Sequence, residues 1–138
     1  MVSRVLVAMD GSKITERALE FALDAYPDAD ITVLTIIGEP SGMMGEAVGL
    51  MFEETREEGT EDARVILDRA QEIAARTDRE LEGIIGYGQP ATEIVDRATE
   101  FDTIVIGHHE SSVADRLFVG NTAETVIRDS PVPVTVVR

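Results

Sequence analysis

The sequence predicts an α/β domain in which a five-stranded parallel sheet carries helices on both faces. Short valine- and isoleucine-rich runs alternate along the chain with longer segments whose apolar residues recur at helical spacing. Such alternation of strand and helix indicates parallel strands joined by right-handed crossovers. A length of 138 residues suits one domain. We therefore expect a single three-layer, doubly wound domain over residues 1–138.

The first three elements carry clear signals. Residues 2–9 form an apolar run that ends at Asp10-Gly11-Ser12, as expected of a buried strand that stops at a turn. Ser12 is a good N-cap residue for the helix that follows, and residues 26–28 (Tyr-Pro-Asp) end that helix. A second buried strand covers residues 31–37. The apolar residues expected on the inner face of the helix are Ile14, Ala18, Phe21, Ala22 and Ala25.

Residues 38–59 give a weaker signal, because glycines interrupt them and three of the five methionines, Met43, Met44 and Met51, lie there. One interpretation is a mobile connection whose apolar residues cover a face of the sheet. The other is an adaptable flap over a ligand or partner, since methionine suits irregular surfaces.

The remaining chain repeats the strand and helix pattern. A long helix leads to a third strand at residues 81–87, and Pro90 opens the next helix, where a first-turn proline is tolerated. A fourth strand covers residues 103–107, a loop follows, and a last helix leads to a fifth strand at residues 134–137. The residues expected to face inward on these helices are Ala63, Ile66, Leu67, Ala70, Ile73 and Ala74; Ala91, Ile94, Val95, Ala98 and Phe101; and Ala123, Val126 and Ile127.

The connections predict the position of a binding crevice. When the first two crossovers build outward one way and the rest the other, a doubly wound sheet of this size usually has the strand order 3-2-1-4-5. Its crevice then lies between strands one and four, beyond their C-terminal ends. The segments that meet there are residues 10–13 and 107–121.

The charge balance is strongly acidic, with 12 Lys and Arg against 27 Asp and Glu and a formal net charge of -15. Self-repulsion strains so acidic a compact state at low salt, but the Debye length falls to about 3 Å at molar salt. The composition therefore predicts a salt-tolerant cytoplasm; the alternative is a merely acidic protein. No basic patch is available to neutralise a nucleic-acid backbone, which argues against DNA or RNA as a partner.

The absence of cysteine excludes disulfides, thiolate metal sites and a cysteine nucleophile. No segment reaches the roughly 20 apolar residues of a membrane span, and the N-terminus reads as a strand rather than a signal peptide. We therefore expect no membrane partner and a cytoplasmic location.

The predicted crevice contains several candidate ligand-binding residues. Asp10, at the end of strand one, could accept hydrogen bonds from ribose hydroxyls or hold a metal, or it could simply form the turn before Gly11. Gly107 ends strand four, where the missing side chain lets a phosphate approach backbone N–H groups. Asn121 precedes the last helix; it could form a capping box with Glu124 or donate to a phosphate at the helix N-terminus.

Four segments together carry a family resemblance: Asp10-Gly11-Ser12, Ile104-Val105-Ile106-Gly107-His108-His109, Gly120-Asn121-Thr122-Ala123-Glu124-Thr125-Val126 and Ser130-Pro131-Val132-Pro133-Val134. The chain resembles universal stress proteins from end to end. The resemblance implies a Rossmann-like (adenine nucleotide alpha hydrolase-like) fold and a dimer. Some members bind ATP through Gly-x-x-Gly, nine residues, then Gly-Ser or Gly-Thr, whereas others lack this motif and do not bind it.

The ATP motif is incomplete here. Gly107, the nine-residue gap and Gly120 fit it, but Glu110 replaces the second glycine and Asn121 the hydroxyl residue. Two unit charges about 4 Å apart cost roughly 4 kcal/mol at an effective dielectric near 20, which is about three decades of affinity. Glu110 could instead turn outward or share Mg²⁺ with the phosphates. The resemblance thus implies an ATP-binding stress-response module; the alternative is a non-binding member that acts through dimer and partner surfaces.

If ATP binds, the resemblance implies a role for each matching residue. Asp10 would contact the ribose, and the backbone around Ile36 the adenine. The residues that would surround the phosphates are Gly107, His109, Gly120, Asn121 and Thr122.

Other chemistry has weaker support. His108 and His109 point to opposite sides of an extended loop, so they do not readily chelate one metal. Residues 86–91 match Gly-x-Gly-x-x-Ala after the wrong strand for dinucleotide binding, and we interpret them as a tight turn.

No Ser-His-Asp order, Walker-type Gly-Lys-Ser or catalytic carboxylate pair is present. A phospho-receiver would need an Asp at the end of strand three and a Lys after strand five, but this sequence has Tyr87-Gly88 and Arg138 at those places, which argues against that class. We therefore expect no catalytic activity other than, at most, slow hydrolysis of ATP.

The last strand is the expected interface. Pro131 and Pro133 flank it, as suits an edge strand, and the valines of residues 134–137 leave an apolar edge open to pairing. A symmetric partner that covers this edge would agree with the dimers of the family. We expect a homodimer through Val134–Val137.

Overall fold

The computed structural model describes residues 1–38, 46–108 and 122–138, with the backbone alone for residues 46–58. Strands and helices alternate, as the sequence predicts. The elements are β1 (Arg4–Ala8), α1 (Lys13–Ala25), β2 (Asp30–Ile37), α2 (Glu46–Ala75), β3 (Glu82–Tyr87), α3 (Pro90–Arg97) with a 3-10 turn (Ala98–Glu100), β4 (Thr103–Gly107), α4 (Thr122–Asp129) and β5 (Val134–Val137).

All described strand pairs are parallel, and the strand order is β3-β2-β1-β4-β5. Val7 of β1 is level with Val33 of β2 on one side and with Val105 of β4 on the other. The predicted α/β class and the predicted order 3-2-1-4-5 are therefore confirmed.

The sheet separates two apolar clusters, because successive side chains of a strand point to opposite faces. Val5 and Val7 of β1 pack with α1 and α2 on one face, whereas Leu6 between them packs with α3 and α4 on the other. Helices thus cover both faces of the sheet, and its central strands are buried on both sides, as their continuous apolar runs require.

Two inner faces differ from the prediction. Phe21 of α1 is 41% exposed, and Ile127 of α4 is 54% exposed. The face of α1 that packs on the sheet is made of Thr15, Ala18, Leu19, Ala22 and Leu23. Because α1 has apolar residues on two overlapping faces, helical spacing alone could not select the buried one, and tertiary packing favours the face that carries both leucines.

The interpretation of residues 38–59 as a connection is wrong from Glu46 onward, because α2 begins there. Met43 and Met44 lie outside the described residues. Two glycines in the helix made the sequence signal weak, since glycine disfavours a helix by about 1 kcal/mol relative to alanine. A Cβ at Gly59 would lie 2.8 Å from Ile37 Cγ2, so this glycine allows the close approach of α2 to β2.

The sequence predicts no segment that is long and apolar enough to span a membrane. Within residues 1–38, 46–108 and 122–138, none of the helices combines the length and apolar character needed to cross a bilayer.

Candidate functional site

The central strand stops short of its two neighbours and leaves a notch in the C-terminal edge of the sheet. β1 ends at Ala8, which is level with Leu34, while β2 continues three residues farther, to Ile37. At about 3.3 Å per residue, β2 extends about 10 Å beyond β1. On the other side, Val7 is level with Val105, so the last residue of β1 is level with residue 106. β4 ends at Gly107, one residue beyond β1. The notch lies where the topology predicts the crevice.

The peptide groups of Ile36 face this notch. Leu34 O accepts a hydrogen bond from Met9 N at 2.9 Å, so the peptide groups of Leu34 face β1. Ile37 O accepts from Gly88 N at 3.0 Å, on the β3 side. Since peptide groups alternate sides along a strand, those of Ile36 face the β1 side, past the end of β1.

Gly107 faces the same notch from β4. His108 N donates to Val137 O at 2.8 Å and Ile104 N donates to Pro133 O at 3.0 Å, so alternate residues of β4 face β5. The peptide groups of Gly107 therefore face β1. A Cβ at Gly107 would lie 3.1 Å from Ile14 O in the first turn of α1, so glycine here also permits that helix to pack closely.

Asp10 lies at the base of the notch, two residues after the end of β1, and forms the β1–α1 turn. Its Oδ1 accepts from Ser12 N at 2.9 Å and from Thr15 Oγ1 at 3.2 Å. Gly11 has φ +86, in the left-handed region, and a Cβ on it would lie 3.3 Å from Ile66 Cγ1. The turn-forming interpretation of Asp10 therefore holds, and its predicted contact with ribose stays a prediction.

Ser12 and Thr15 share the polar contacts of this turn. Ser12 occupies the N-cap position of α1, as predicted, but its side chain makes no capping bond, and its Oγ lies 3.4 Å from Thr15 Oγ1. Thr15 is only 5% exposed. The sequence analysis did not select Thr15; the available signal was a threonine five residues after Asp10, on a helix face whose other buried residues are apolar.

The phosphate side of the predicted site is only partly described. Thr122 begins α4, is partly buried and precedes an acidic first-turn residue, Glu124. Because α4 connects two parallel strands, its N-terminus lies at the C-terminal edge of the sheet, the edge that carries the notch. His109, Glu110, Gly120 and Asn121 lie outside the described residues, as does the predicted capping box of Asn121.

Within the segment over residues 86–91, residues 88–89 form a tight turn between β3 and α3, as predicted. Gly86 is the β3 partner of Ile36. Gly88 has φ +124, and Gln89 is the N-cap residue of α3 with Pro90 in the first turn. The positive φ explains the glycine at position 88, because side chains disfavour that conformation.

A second concavity, of 410 Å³, lies between the C-terminal ends of α1 and α2, at the sheet edge opposite the notch. Arg79 lines it, but its guanidinium donates to Leu23 O, Tyr26 O and Ala29 O. Arg79 therefore connects the end of α1 to the following turn. Across the part of the chain that the structure describes, no three acidic or histidine side chains are grouped closely enough to hold a metal ion.

Comparison with known proteins finds one family. A model of the universal stress protein family matches residues 1–138. Universal stress protein YxiE of Bacillus subtilis (strain 168) is 29% identical over 148 residues, which cover 100% of both chains. The structure of universal stress protein UspA from Lactobacillus plantarum superimposes with a TM-score of 0.85 at 26% identity, over 99% of this chain and 98% of that one.

Two structures of the same fold contain nucleotides. A universal stress protein in complex with cAMP has a TM-score of 0.71 at 24% identity and covers 99% of this chain and 97% of its own. A universal stress protein family member from Arabidopsis thaliana with AMP bound has a TM-score of 0.62 at 18% identity, over 98% of this chain and 90% of that one. At these identities the similarity establishes the shared fold.

Proposed function

The chain belongs to the universal stress protein family, and we propose that it binds adenine nucleotides, with Mg-ATP as the principal ligand, in the notch above β1. Its role is that of a stress-response module in a salt-tolerant cytoplasm. The proposed activity is binding rather than catalysis, and slow ATP hydrolysis is the most catalytic activity that we propose.

The observation that carries this proposal is the convergence of polar groups from three places in the chain on one notch. Peptide groups of Ile36 face it from one side and those of Gly107 from the other, while the Asp10 carboxylate lies at its base. Peptide groups pair well with the edge of an adenine, a carboxylate accepts from ribose hydroxyls, and a glycine N–H lets a phosphate approach. These are the three parts of an adenine nucleotide.

The bound nucleotides of related structures support the same ligand class. One protein of this fold is in complex with cAMP and another has AMP bound. The chemistry common to these ligands and ATP is adenosine with at least one phosphate, which agrees with the groups that face the notch.

A second candidate is a family member that binds no nucleotide and acts through its surfaces. Glu110 favours it, because a carboxylate in place of a motif glycine repels a triphosphate. The packing of Gly107 on α1 and the turn formed by Asp10 also explain both residues without a ligand. The substitution Glu110→Gly separates the two candidates, since it restores the glycine and removes the charge.

The test is thermal unfolding in molar KCl with and without Mg-ATP. A ligand that binds only the folded state stabilises it by about 2.7 kcal/mol at 100 times its Kd. We expect ATP to raise the unfolding midpoint, with AMP and cAMP measured alongside it and GTP as the control for ionic effects. Glu110→Gly should increase the shift. A midpoint that no adenine nucleotide moves, in either the natural chain or the variant, would rule out the proposed site.

We also propose a homodimer through the edge formed by β5. This strand is last in the sheet order and pairs with β4. The side chains of Val134–Val137 are only partly buried, and an unpaired apolar edge invites strand pairing. A two-fold related copy would continue the sheet across this edge.

A further inference from the structure

The β1–α1 turn contains a buried hydroxyl with four polar neighbours. Thr15 Oγ1 lies 3.0 Å from Ser12 O, 3.2 Å from Asp10 Oδ1, 3.3 Å from Asp10 N and 3.4 Å from Ser12 Oγ. A hydroxyl has one proton and two lone pairs. Thr15 can therefore accept from Asp10 N and Ser12 Oγ while it donates to Asp10 Oδ1 or to Ser12 O.

These contacts restrict the Asp10 carboxylate. Its Oδ1 also accepts from Ser12 N at 2.9 Å, so when Thr15 donates to Oδ1 rather than to Ser12 O, a backbone donor and a side-chain donor hold the same oxygen. A carboxylate is planar, so holding Oδ1 limits rotation of the group and thereby sets the direction of Oδ2. Thr15 is itself well fixed, because it is β-branched and 5% exposed in the first turn of a helix.

We propose that Thr15 is a positioning residue that orients the Asp10 carboxylate toward the sugar of a bound nucleotide and so makes the notch select ribose over deoxyribose. This inference rests on the proposed nucleotide-binding function. A hydrogen bond to a ribose hydroxyl depends on the direction of the accepting oxygen. A carboxylate that rotates freely holds the hydroxyl less well, and the preference for ribose decreases.

A merely structural role for Thr15 predicts a different result. Removing the hydroxyl leaves Asp10 N without this acceptor, which lowers the free energy of unfolding whether or not a nucleotide binds. That loss weakens ATP and deoxy-ATP binding equally. The ratio of the two dissociation constants therefore reports orientation of Asp10, and stability measured in the absence of nucleotide reports the structural role.

The experiment measures the dissociation constants of ATP, 2′-deoxy-ATP and 3′-deoxy-ATP for the natural chain, Thr15→Val and Thr15→Ser, in molar KCl with Mg²⁺. Valine keeps the shape of threonine without the hydroxyl, and serine keeps the hydroxyl. We expect the natural chain to bind ATP at least about tenfold more tightly than one of the deoxynucleotides, the effect of one hydrogen bond to a charged group. Thr15→Val should bring the ratio close to one, and Thr15→Ser should retain it.

A double substitution tests whether Thr15 acts through Asp10. Asp10→Asn alone should reduce the ribose preference, and adding Thr15→Val to it should change the ratio no further, since coupled residues are non-additive. A further fall of the ratio in the double variant would show that Thr15 acts by another route and would overturn the proposal.

The remaining outcomes separate this inference from the proposed function. If the natural chain binds ATP with a ribose preference that Thr15→Val retains, the role of Thr15 is refuted and nucleotide binding stands. If it binds all three nucleotides equally, Asp10 does not select the sugar, and again only this inference fails. If it binds none of them, both proposals fail.

Discussion

Gly107 is a single residue with two requirements on it, one from packing and one from the proposed ligand. The backbone of Ile14 in α1 occupies the space next to its Cα, and its own peptide groups face the notch. Because backbone atoms of a helix cannot move aside as a flexible side chain can, the packing requirement is present with or without a nucleotide.

The substitution Gly107→Ala tests this packing. Its Cβ would lie 3.1 Å from Ile14 O and 3.2 Å from Ile14 C, so we expect the free energy of unfolding to fall by about 1–3 kcal/mol. The matched control is Gly38→Ala, because no atom of the described residues, apart from Gly38 and its chain neighbours, lies within 4 Å of the Cβ position at Gly38. Urea unfolding of both variants provides the comparison; equal stabilities would contradict the packing argument.

Asp102 fastens the N-terminal segment to the sheet at the edge opposite the notch. Its Oδ2 accepts from Ser3 N at 2.8 Å and from Arg4 N at 2.9 Å. These two backbone hydrogen bonds hold the pKa of Asp102 below its ordinary value of 3.8, and the bond from Ser3 has the larger effect. A lowered pKa in the folded state means that the ionised carboxylate stabilises the fold.

The sign of the pH dependence follows from that lowered pKa. The stabilisation by Asp102 is fully present above the unfolded-state pKa and is lost as the pH falls through the lower folded-state pKa, that is, below 3.8. Asp102→Asn should therefore unfold at a lower temperature than the natural chain at neutral pH, with the difference shrinking below pH 3.8. Asp96→Asn, on the exposed side of α3, is the control. A difference that is independent of pH would refute this assignment.

At the scale of the elements, Arg79, in the loop that follows α2, connects the end of α1 to the turn that leads into β2. Its Nη1 donates to Leu23 O at 2.9 Å, and its Nη2 donates to Tyr26 O at 3.2 Å and to Ala29 O at 2.8 Å. The first two carbonyls belong to the last turn and the end of α1, where a helix lacks internal donors and where a cation is favoured.

The substitution Arg79→Lys tests this connection. An ammonium group on a single stem cannot reproduce the planar fork that reaches three separate carbonyls. We expect the free energy of unfolding to fall by about 1.5–3 kcal/mol, the range for hydrogen bonds to a charged group. Arg76→Lys is the control, because Arg76 is exposed and lines the same concavity. If both substitutions had the same small effect in urea unfolding, Arg79 would not hold these elements together.

At the scale of the whole molecule, the proposed dimer depends on β5, the last strand in the order of the described sheet. Pro133 O accepts from Ile104 N of β4 and Val137 O from His108 N just after β4, so the alternating residues Val134 and Val136 direct their peptide groups away from β4. Their side chains pack on the sheet face that α3 and α4 cover. Pairing with a second copy would use the backbone of these residues and leave that packing intact.

The substitution Val136→Pro blocks this edge, because proline removes an outward N–H while it keeps an apolar side chain. We expect light scattering after size exclusion to give the mass of a dimer for the natural chain and of a monomer for the variant. Val136→Ile, which retains the N–H, should remain dimeric. A Val136→Pro variant that is folded and still dimeric would place the interface elsewhere.

The net charge of -15 leads us to predict that the stability of the whole molecule depends on salt concentration. Salt screens repulsion between surface carboxylates, and the Debye length falls from about 10 Å at 0.1 M to about 3 Å at 1 M. We therefore expect the midpoint temperature of unfolding to be higher in about 1 M KCl than in about 0.1 M KCl. The triple substitution of Asp28, Asp62 and Asp96, all exposed, by Asn should flatten this rise. A midpoint insensitive to KCl would contradict a salt-adapted composition.

The sequence by itself determined the order of elements, the topology and the position of the crevice. The bounds of β4 and β5 agree with the prediction, residues 103–107 and 134–137, because buried strands between turn residues leave a short-range signal in the chain. Alternation of strand and helix then restricts the topology, since crossovers have one hand. The crevice follows from that topology, and Asp10 and Gly107 could be placed beside it.

Only the tertiary structure decided the features that depend on distant neighbours. The buried face of α1 was set by the sheet beneath it, which is why Phe21 is exposed, and the start of α2 at Glu46 lies in a segment whose glycines disfavour a helix on their own. The hydroxyl of Thr15 acquired its place beside Asp10 because the turn at Gly11 brings residues five apart into contact. Local propensity and spacing act over one turn or one strand, whereas burial and hydrogen-bond geometry depend on how the elements pack.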